Sequence, residues 1–350
     1  MYPNTPGSEI YLFAFGGDTA YSLPPVAGGR KERQDMEKIR LGISACLLGA
    51  NVRYDGGHQL DRFLRDTLGR YVDWVPVCPE VEMGLPIPRP TLRLVGEPGA
   101  QRLVFSGSGE DVTDAMTRWA QTRLAELEQE GLCGFVFKGR SPSSGMARVK
   151  LYDRNGIPNK NGVGLFAGLF MEHFPLLPVE EDGRLNDPRL RENFIEAIFT
   201  FQRWRQMLSI SPAAAHLVEF HARHKYLLMS HNVELARQMG KLVARAGQLT
   251  GTELFPEYQQ LLMKAVRQLP SVAKHVNVLQ HLMGYFKKHL EADEKQEMLE
   301  LIEQYRHGQV PINIPITLIN HFVRKYRPPY LAEQLYLHPH PMELHLRTGR

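Results

Sequence analysis

The chain has 350 residues, 43% hydrophobic and 23% charged, the balance of a globular protein long enough for two domains. The nearest thing to a bilayer-spanning run, residues 164–179, is broken by Glu172 and His173, and the first residues lack the basic start and apolar stretch of a secretion signal. Three cysteines argue against a disulfide framework, so a reducing, cytoplasmic compartment is expected, with no membrane partner. Charge is unevenly divided: residues 201–350 carry 19 Lys and Arg against 12 Asp and Glu, and twelve of the fourteen histidines. Taken alone, that surplus is an ordinary solvated surface.

Residues 1–36, rich in Gly and Pro and closing on a charged run, are expected to be a disordered extension, with Met36 as an alternative start. From residue 37 the pattern changes. "IRLGISA" reads as a strand ending at Cys46, and "HQLDRFLRDTLG" spaces Leu60, Phe63, Leu64 and Leu68 along one helical face. "YVDWVPV" is a second strand, ending at Cys78. An amphipathic helix from about Asp111 presents Met116, Trp119, Ala120, Leu124 and Leu127 on one face and stops at Gly131. "CGFVFK" and "ARVKLY" are further strands. Alternating strands and helices predict an α/β domain over 37–178 with a largely parallel, layered sheet. After the Pro-rich, acidic link "FPLLPVEEDGRLNDP" every periodic segment is helical, which predicts an all-α domain over 186–350.

Three loops follow three strands: "CLLGANVRYDGG", "CPEVEMGLPIPRP" and "GRSPSSGMARV". In a parallel sheet such loops share one edge, where ligands bind. Cys46, Cys78 and the Ser-Pro-Ser-Ser-Gly segment can converge there, and soft thiolates on converging loops are what an iron–sulfur cluster needs. The plain alternative is that lone cysteines act as small hydrophobes.

These motifs resemble the thiouracil desulfurase family closely in "SACLLGANVRYDGG", "CPEVEMGLPIPRP" and "FKGRSPSSGMARVKLYD". The later segments "FHARHKYLLMSH", "VLQHLMGYFKKHL", "PITLINHFVRKY" and "LHPHPMEL" are similar to the YbgA-type helical domain. In this order the two resemble RNA 4-thiouridine desulfidases. The resemblance implies a non-redox desulfuration of thiouridine in tRNA, with free thiouracil or a thiolated nucleoside as the alternative substrate and no DNA partner. Three protein ligands would hold a 4Fe–4S cluster with one iron open to the thiocarbonyl sulfur; water would add at the ring carbon and sulfur leave as sulfide. By motif position it assigns Glu80 and Ser141 to catalysis. Glu80 reads equally as a loop carboxylate paired with Arg89 or Arg93, and Ser141 as a turn residue before Pro142.

The resemblance places ligands at Cys46, Cys78 and Ser144, and at Ser144 many family members have a cysteine. The remaining thiol, Cys133, stands at the far end of "CGFVFK", roughly 15–20 Å from the loop at ~3.3 Å per residue. Three outcomes stay open: Ser144 or water completes the cluster, Cys133 folds back to do so, or the site has lapsed and the chain binds RNA without catalysis. Arg53, Lys138, Arg140 and Arg148 are candidates for phosphate and Tyr54 for stacking on a base, with rim or core-edge roles as the plain alternative. In the helical part His221, His224 and His231 share a helix face on which no metal is assigned. "GYFKKHL" and "HFVRKYRPPY" mix aromatic and basic residues as single-stranded RNA contacts do.

Overall fold

Five of the six residues of the first strand, β1 (Ile39–Ser44), are buried, which is what a strand covered on both faces requires. The computed structural model describes residues 38–210, 212–344 and 346–347, so the extension read at 1–36 lies outside the described residues. The α/β part continues with β2 (Val72–Val77), α1 (Pro79–Glu82), β3 (Leu92–Val95), β4 (Arg102–Phe105), α2 (Thr113–Gln129), β5 (Phe135–Phe137), β6 (Val149–Tyr152), β7 (Pro158–Gly162), α3 (Leu165–His173) and β8 (Val179–Glu181).

These strands form two sheets. The first, ordered β2-β1-β5-β8, is parallel throughout, with Ser44 paired to Val77 and Ile43 to Val136. The second, ordered β4-β3-β6-β7, is mixed: β3 and β6 run parallel, and the outer pairs are antiparallel. "ARVKLY" therefore belongs to a different sheet from "CGFVFK", and the single sheet expected from the sequence is two. The segment expected as a helix after Cys46 is shorter and less regular, a π-helical turn at Phe63–Thr67 followed by a 3-10 turn at Leu68–Arg70. Leu64 and Leu68 are nonetheless fully buried, so the periodicity marked the right side chains.

One face of the parallel sheet is covered by α2 and α3 through an aromatic cluster in which Trp119 meets Phe166 at 5.3 Å and Phe135 meets Phe170 at 4.7 Å. Full burial of such a ring contributes about 2–3 kcal/mol. The other face takes α4 (Pro188–Ile210). A Cβ on Gly134 would lie 2.9 Å from Ile198 and 2.8 Å from the Pro178 carbonyl, so the close approach of helix and strand needs a glycine there.

The chain then runs through α5 (Ala214–His231), α6 (Val233–Ala244), α7 (Gly251–Val266), α8 (Val272–Gly284), α9 (Ala292–Arg306), α10 (Asn313–Tyr326) and α11 (Pro329–Ala332). An all-α region after the α/β region is what the periodicity predicts. One apolar cluster runs from the parallel sheet through α4 to α7, and a second joins α8, α9 and α10. The α5 helix serves both, with Leu217, Phe220 and Leu228 in the first and Tyr226 and Leu227 in the second.

Candidate active site

Because β2, β1 and β5 are parallel neighbours, the loops leaving their C-terminal ends meet. Cys46 lies two residues beyond Ser44 and Cys78 one residue beyond its partner Val77. Both thiols line a cavity of about 380 Å³, together with Arg53, Tyr54, Glu80, Arg89, Lys138, Arg140, Ser141 and Ser144.

Each loop is fixed by its own hydrogen bonds. The Cys46 carbonyl accepts from the Gly49 and Gln59 amides, closing the first loop on itself. Cys78 precedes α1, and its amide donates to the Glu82 carboxylate at 2.8 Å. In the third loop the Gly145 amide donates to the Ser141 carbonyl, and the Leu165 and Ala167 amides at the start of α3 donate to the Pro142 and Ser143 carbonyls. Glu181 accepts from the Met146 amide, and Asp182 accepts from the Gly139 amide while pairing with Lys138 at 2.9 Å. A Cβ on Gly145 would meet Val149 at 2.6 Å and the Ser141 carbonyl at 2.8 Å. Protein atoms, rather than a ligand, dictate that glycine.

Glu80 stands at the centre. One carboxylate oxygen accepts from Ser143 Oγ at 2.6 Å; the other lies 3.6 Å from Cys78 Sγ and 3.8 Å from Arg89. Arg89 is itself buried and donates to the Val52 carbonyl at 3.0 Å. Ser143 Oγ is 2.9 Å from Ser141 Oγ, so carboxylate and two hydroxyls form a chain. Ser141 Oγ also accepts from the Ser143 and Ser144 amides at 3.3 and 3.2 Å, as a turn-forming serine does. Reading the sequence singled out Ser141 and passed over Ser143, the residue that touches Glu80. Among three serines in five positions, spacing carries no signal to choose between them.

Burial pushes the Cys46 thiol up to about 11, against the opposing charge of Lys138. Burial, reinforced by the Glu80 charge, pushes Cys78 up to about 12. Both are therefore protonated at neutral pH in the cation-free protein, and a bound metal would reverse this by stabilising thiolate. Two thiols on one cavity fit a soft iron centre. The third position is the hydroxyl of Ser144, 4% exposed and 3.4 Å from Ser143 Oγ, and a hydroxyl is a harder, poorer iron ligand.

Cys133 is elsewhere. Its amide donates to the Arg40 carbonyl at the start of β1 and its thiol to Gln202 of α4 at 2.9 Å, which sets it about 20 Å along β1 from Cys46 at ~3.3 Å per residue. Nor are the substrate candidates all together. Arg53 and Tyr54 line the cysteine cavity, Lys138 and Arg140 its boundary with a neighbouring cavity, and Arg148 that second cavity alone.

In the helical part the three histidines of α5 do not converge. His221 bonds Tyr258, His224 the Phe220 carbonyl, and His231 the Gln268 carbonyl with Glu196 3.1 Å away. Glu192, Glu196 and His340 do come together, but Arg347 bridges both carboxylates at 2.8 and 2.6 Å, and its guanidinium takes the place a cation would hold. The two aromatic–basic motifs meet: Tyr285 stacks on Tyr330 at 5.7 Å, and His289 stacks on Tyr326 at 5.1 Å.

The site so built has known relatives. The family model described as 2-thiouracil desulfurase matches residues 41–182, and a protein domain of unknown function, DUF1722, matches residues 225–341. Uncharacterized protein YbbK of Bacillus subtilis (strain 168) is 31% identical over 108 residues, 29% of this chain and 71% of its own length. Uncharacterized protein YbgA of Escherichia coli (strain K12) is 26% identical over 164 residues, 47% of this chain and 97% of its own length. A solved structure described as the 4Fe–4S-dependent thiouracil desulfidase TudS aligns at 33% identity and a TM-score of 0.36, covering 43% of this chain and 95% of that one. The chain belongs to the 2-thiouracil desulfurase family through its α/β part. Its later helices are homologous to YbgA. Among the described residues no helix is long and apolar enough to cross a membrane.

Proposed function

We propose that the protein is a non-redox desulfidase that exchanges the thiocarbonyl sulfur of a thiolated uracil for oxygen, with 4-thiouridine in tRNA as the substrate. In balance, one water is consumed, a C=S bond becomes C=O, and the sulfur leaves as hydrogen sulfide. The observation that carries the reading is the pair Cys46 and Cys78 on one cavity, with Glu80 hydrogen-bonded to Ser143 beside them. Membership of the 2-thiouracil desulfurase family supports the reaction class. The substrate's attachment to tRNA, a cytoplasmic setting and the division of the chain into 37–178 and 186–350 are parts of this proposal.

Cys46 and Cys78 would hold a 4Fe–4S cluster, with Ser144 or solvent at the third position. Such a cluster, when bound, supplies a Lewis-acidic iron that polarises the carbon–sulfur bond. The remaining work falls to the chain. Glu80 is placed to take a proton from water, and the Ser143–Ser141 pair offers a path along which it moves. Arg89 holds the carboxylate in position from its buried side. Tyr54, 43% exposed at the cavity rim, offers a face to the ring, and Arg53 lies beside it. Lys138 and Arg140, on the wall shared with the neighbouring cavity, would meet the phosphate of the nucleotide that carries the base.

The hydroxyl at Ser144 favours a second reading, an RNA-binding protein whose cluster no longer assembles. Anaerobic reconstitution with iron and sulfide separates the two. About four iron and four sulfide per chain, with sulfide released from thiouridine-containing tRNA, supports the desulfidase. Release from free thiouracil alone would move the substrate to the base. Assembly only in Ser144→Cys would show that the chemistry has lapsed.

A further inference from the structure

Beside the cysteine cavity lies a larger one, about 1250 Å³, sharing Thr91, Leu92, Lys138, Gly139, Arg140 and Pro142 as a common wall. Seven basic residues line it: Arg93, Lys138, Arg140, Arg148, Lys150, Lys160 and Arg184. Its two acids are already engaged, Glu181 with the Met146 and Ala147 amides and Asp182 with Lys138 and the Gly139 amide. Arg184 pairs with Glu180 at 2.6 Å. Arg93, Arg140, Arg148, Lys150 and Lys160 have no acidic partner among the described residues.

The mixed sheet arranges three of these in a row. Leu94 pairs with Leu151, so one position back Arg93 and Lys150 are neighbours on the opposite face. On the other side of β6, the irregularity between Val149 and Leu151 sets Lys160 and Asn161 across from Lys150. Adjacent like charges on neighbouring strands repel, and no acid relieves them here. Arg140 and Arg148 add to the cost, because both hold the left-handed backbone conformation, φ 63° and 54°, that favours glycine. Tyr152 lies on the same face, with the Arg93 guanidinium 5.4 Å from its ring centre.

We propose that this second cavity is a cleft for the phosphodiester backbone of a single-stranded polyribonucleotide, whose thiolated base enters the adjoining cysteine cavity. The inference rests on the desulfidase reading for the base and on the cleft's own charges for the backbone. A row of unpaired cations about 5 Å apart across the strands suits successive phosphates, and Tyr152 offers a stacking face. An acidic protein would answer the charge but would leave the small cavity without a base.

The test uses the full chain, loaded anaerobically, and a labelled ten-nucleotide single strand carrying one 4-thiouridine. If five cations meet phosphates, affinity falls about 100-fold between 50 and 200 mM salt. In Lys150→Ala/Lys160→Ala that fall shrinks to about 20-fold, while sulfide release from free thiouracil keeps the parent rate. An unchanged salt slope in the double variant overturns the cleft. So does a 4-thiouridine mononucleotide that binds as tightly as the strand, or a polyglutamate that displaces the strand at equal charge. Should no substrate release sulfide, the desulfidase reading fails, and the salt slopes still decide the cleft.

Discussion

Two buried polar clusters among the described residues are built on opposite principles. At the ends of β1, β2 and β5, Cys46, Cys78, Glu80 and the serines face a cavity. In the helical part, Glu192, Glu196, His231 and Arg347 face one another: Arg347 spans both carboxylates and His231 adds a third contact to Glu196. Burial pushes the Glu196 carboxyl up, but Arg347 and His231 more than reverse this and hold it well below the usual range. Glu192 shares the same guanidinium and is pushed up by burial and by the charge of Glu196, so one carboxylate ionises readily and the other reluctantly. The contrast shows what separates a site from a strut. Buried polarity closed on itself ties the C-terminal segment to α4; buried polarity facing a cavity awaits a ligand.

The sharpest way to break the comparison is to remove a soft donor. Cys78→Ala is expected to abolish cluster assembly, taking iron from about four per chain to near zero after anaerobic reconstitution. The melting temperature of the cation-free protein should move little, because the thiol's contacts with Val52 and Glu80 are long and weak. Retained iron would mean that Cys78 is not a ligand.

Arg347→Ala should do the reverse. It strands two buried carboxylates, a change that typically costs 3–5 kcal/mol, about that here by urea unfolding, while iron content at low temperature stays at the parent value. Arg347→Lys should recover only part of the loss, because one ammonium cannot reproduce the fork that meets both Glu192 and Glu196.

How far the two regions were legible in the sequence follows the same physics. β1 and β5 are dense in Ile, Leu, Val and Phe because they are covered on both faces, and such runs announce themselves. Pairing is another matter. β3 and β4 (Leu92–Val95 and Arg102–Phe105) are four residues long with an arginine each, and β7 (Pro158–Gly162) is exposed at four of five positions, so none of the three makes a long apolar run. In α10 Ile316, Ile319 and Phe322 keep the helical period, and Pro315 with the β-branched residues around it weakens the local propensity. The Cys–Glu and Ser-rich motifs could be read as a site from loops at one sheet edge. The Glu192–Arg347 contact joins residues 155 apart, and nothing local in either segment points to the other.

Acid should weaken the helical part, through its buried histidines, before it touches the parallel sheet. Burial holds His221 at about 4, with Lys225 adding to it, and burial with the charge of Arg347 holds His275 at about 3 and His340 at about 4. Each is neutral in the folded protein and gains a proton on unfolding below its ordinary value of 6.5. Their stabilisation is therefore complete above that value and is lost as pH falls toward the folded values, at up to about 1.4 kcal/mol per pH unit for each histidine. Between pH 7 and 5 that is about 2 kcal/mol per histidine, read as a drop in the urea midpoint. Glu196 adds its share only below its ordinary value of 4.5, where the unfolded chain takes up a proton that the folded carboxylate does not. A midpoint flat from pH 7 to 5 would show that these histidines are charged in the folded state.

The smallest effect is expected where a thiol has the least to do with the cavity. Cys133 is 1% exposed and donates to Gln202 Oε1 at 2.9 Å, a bond that a serine hydroxyl can also make. Cys133→Ser should thus cost no more than about 1 kcal/mol, by keeping the donor and losing only some apolar contact. Iron and sulfide per chain should not change. Loss of the cluster in this variant would require the segment 133–138 to leave β5, so that Cys133 gave up both the Arg40 carbonyl and Gln202 to reach Cys46. The parallel register of Phe135 with Gly42 and of Val136 with Ile43 opposes that movement, and the aromatic cluster around Phe135 and Phe170 would have to open with it.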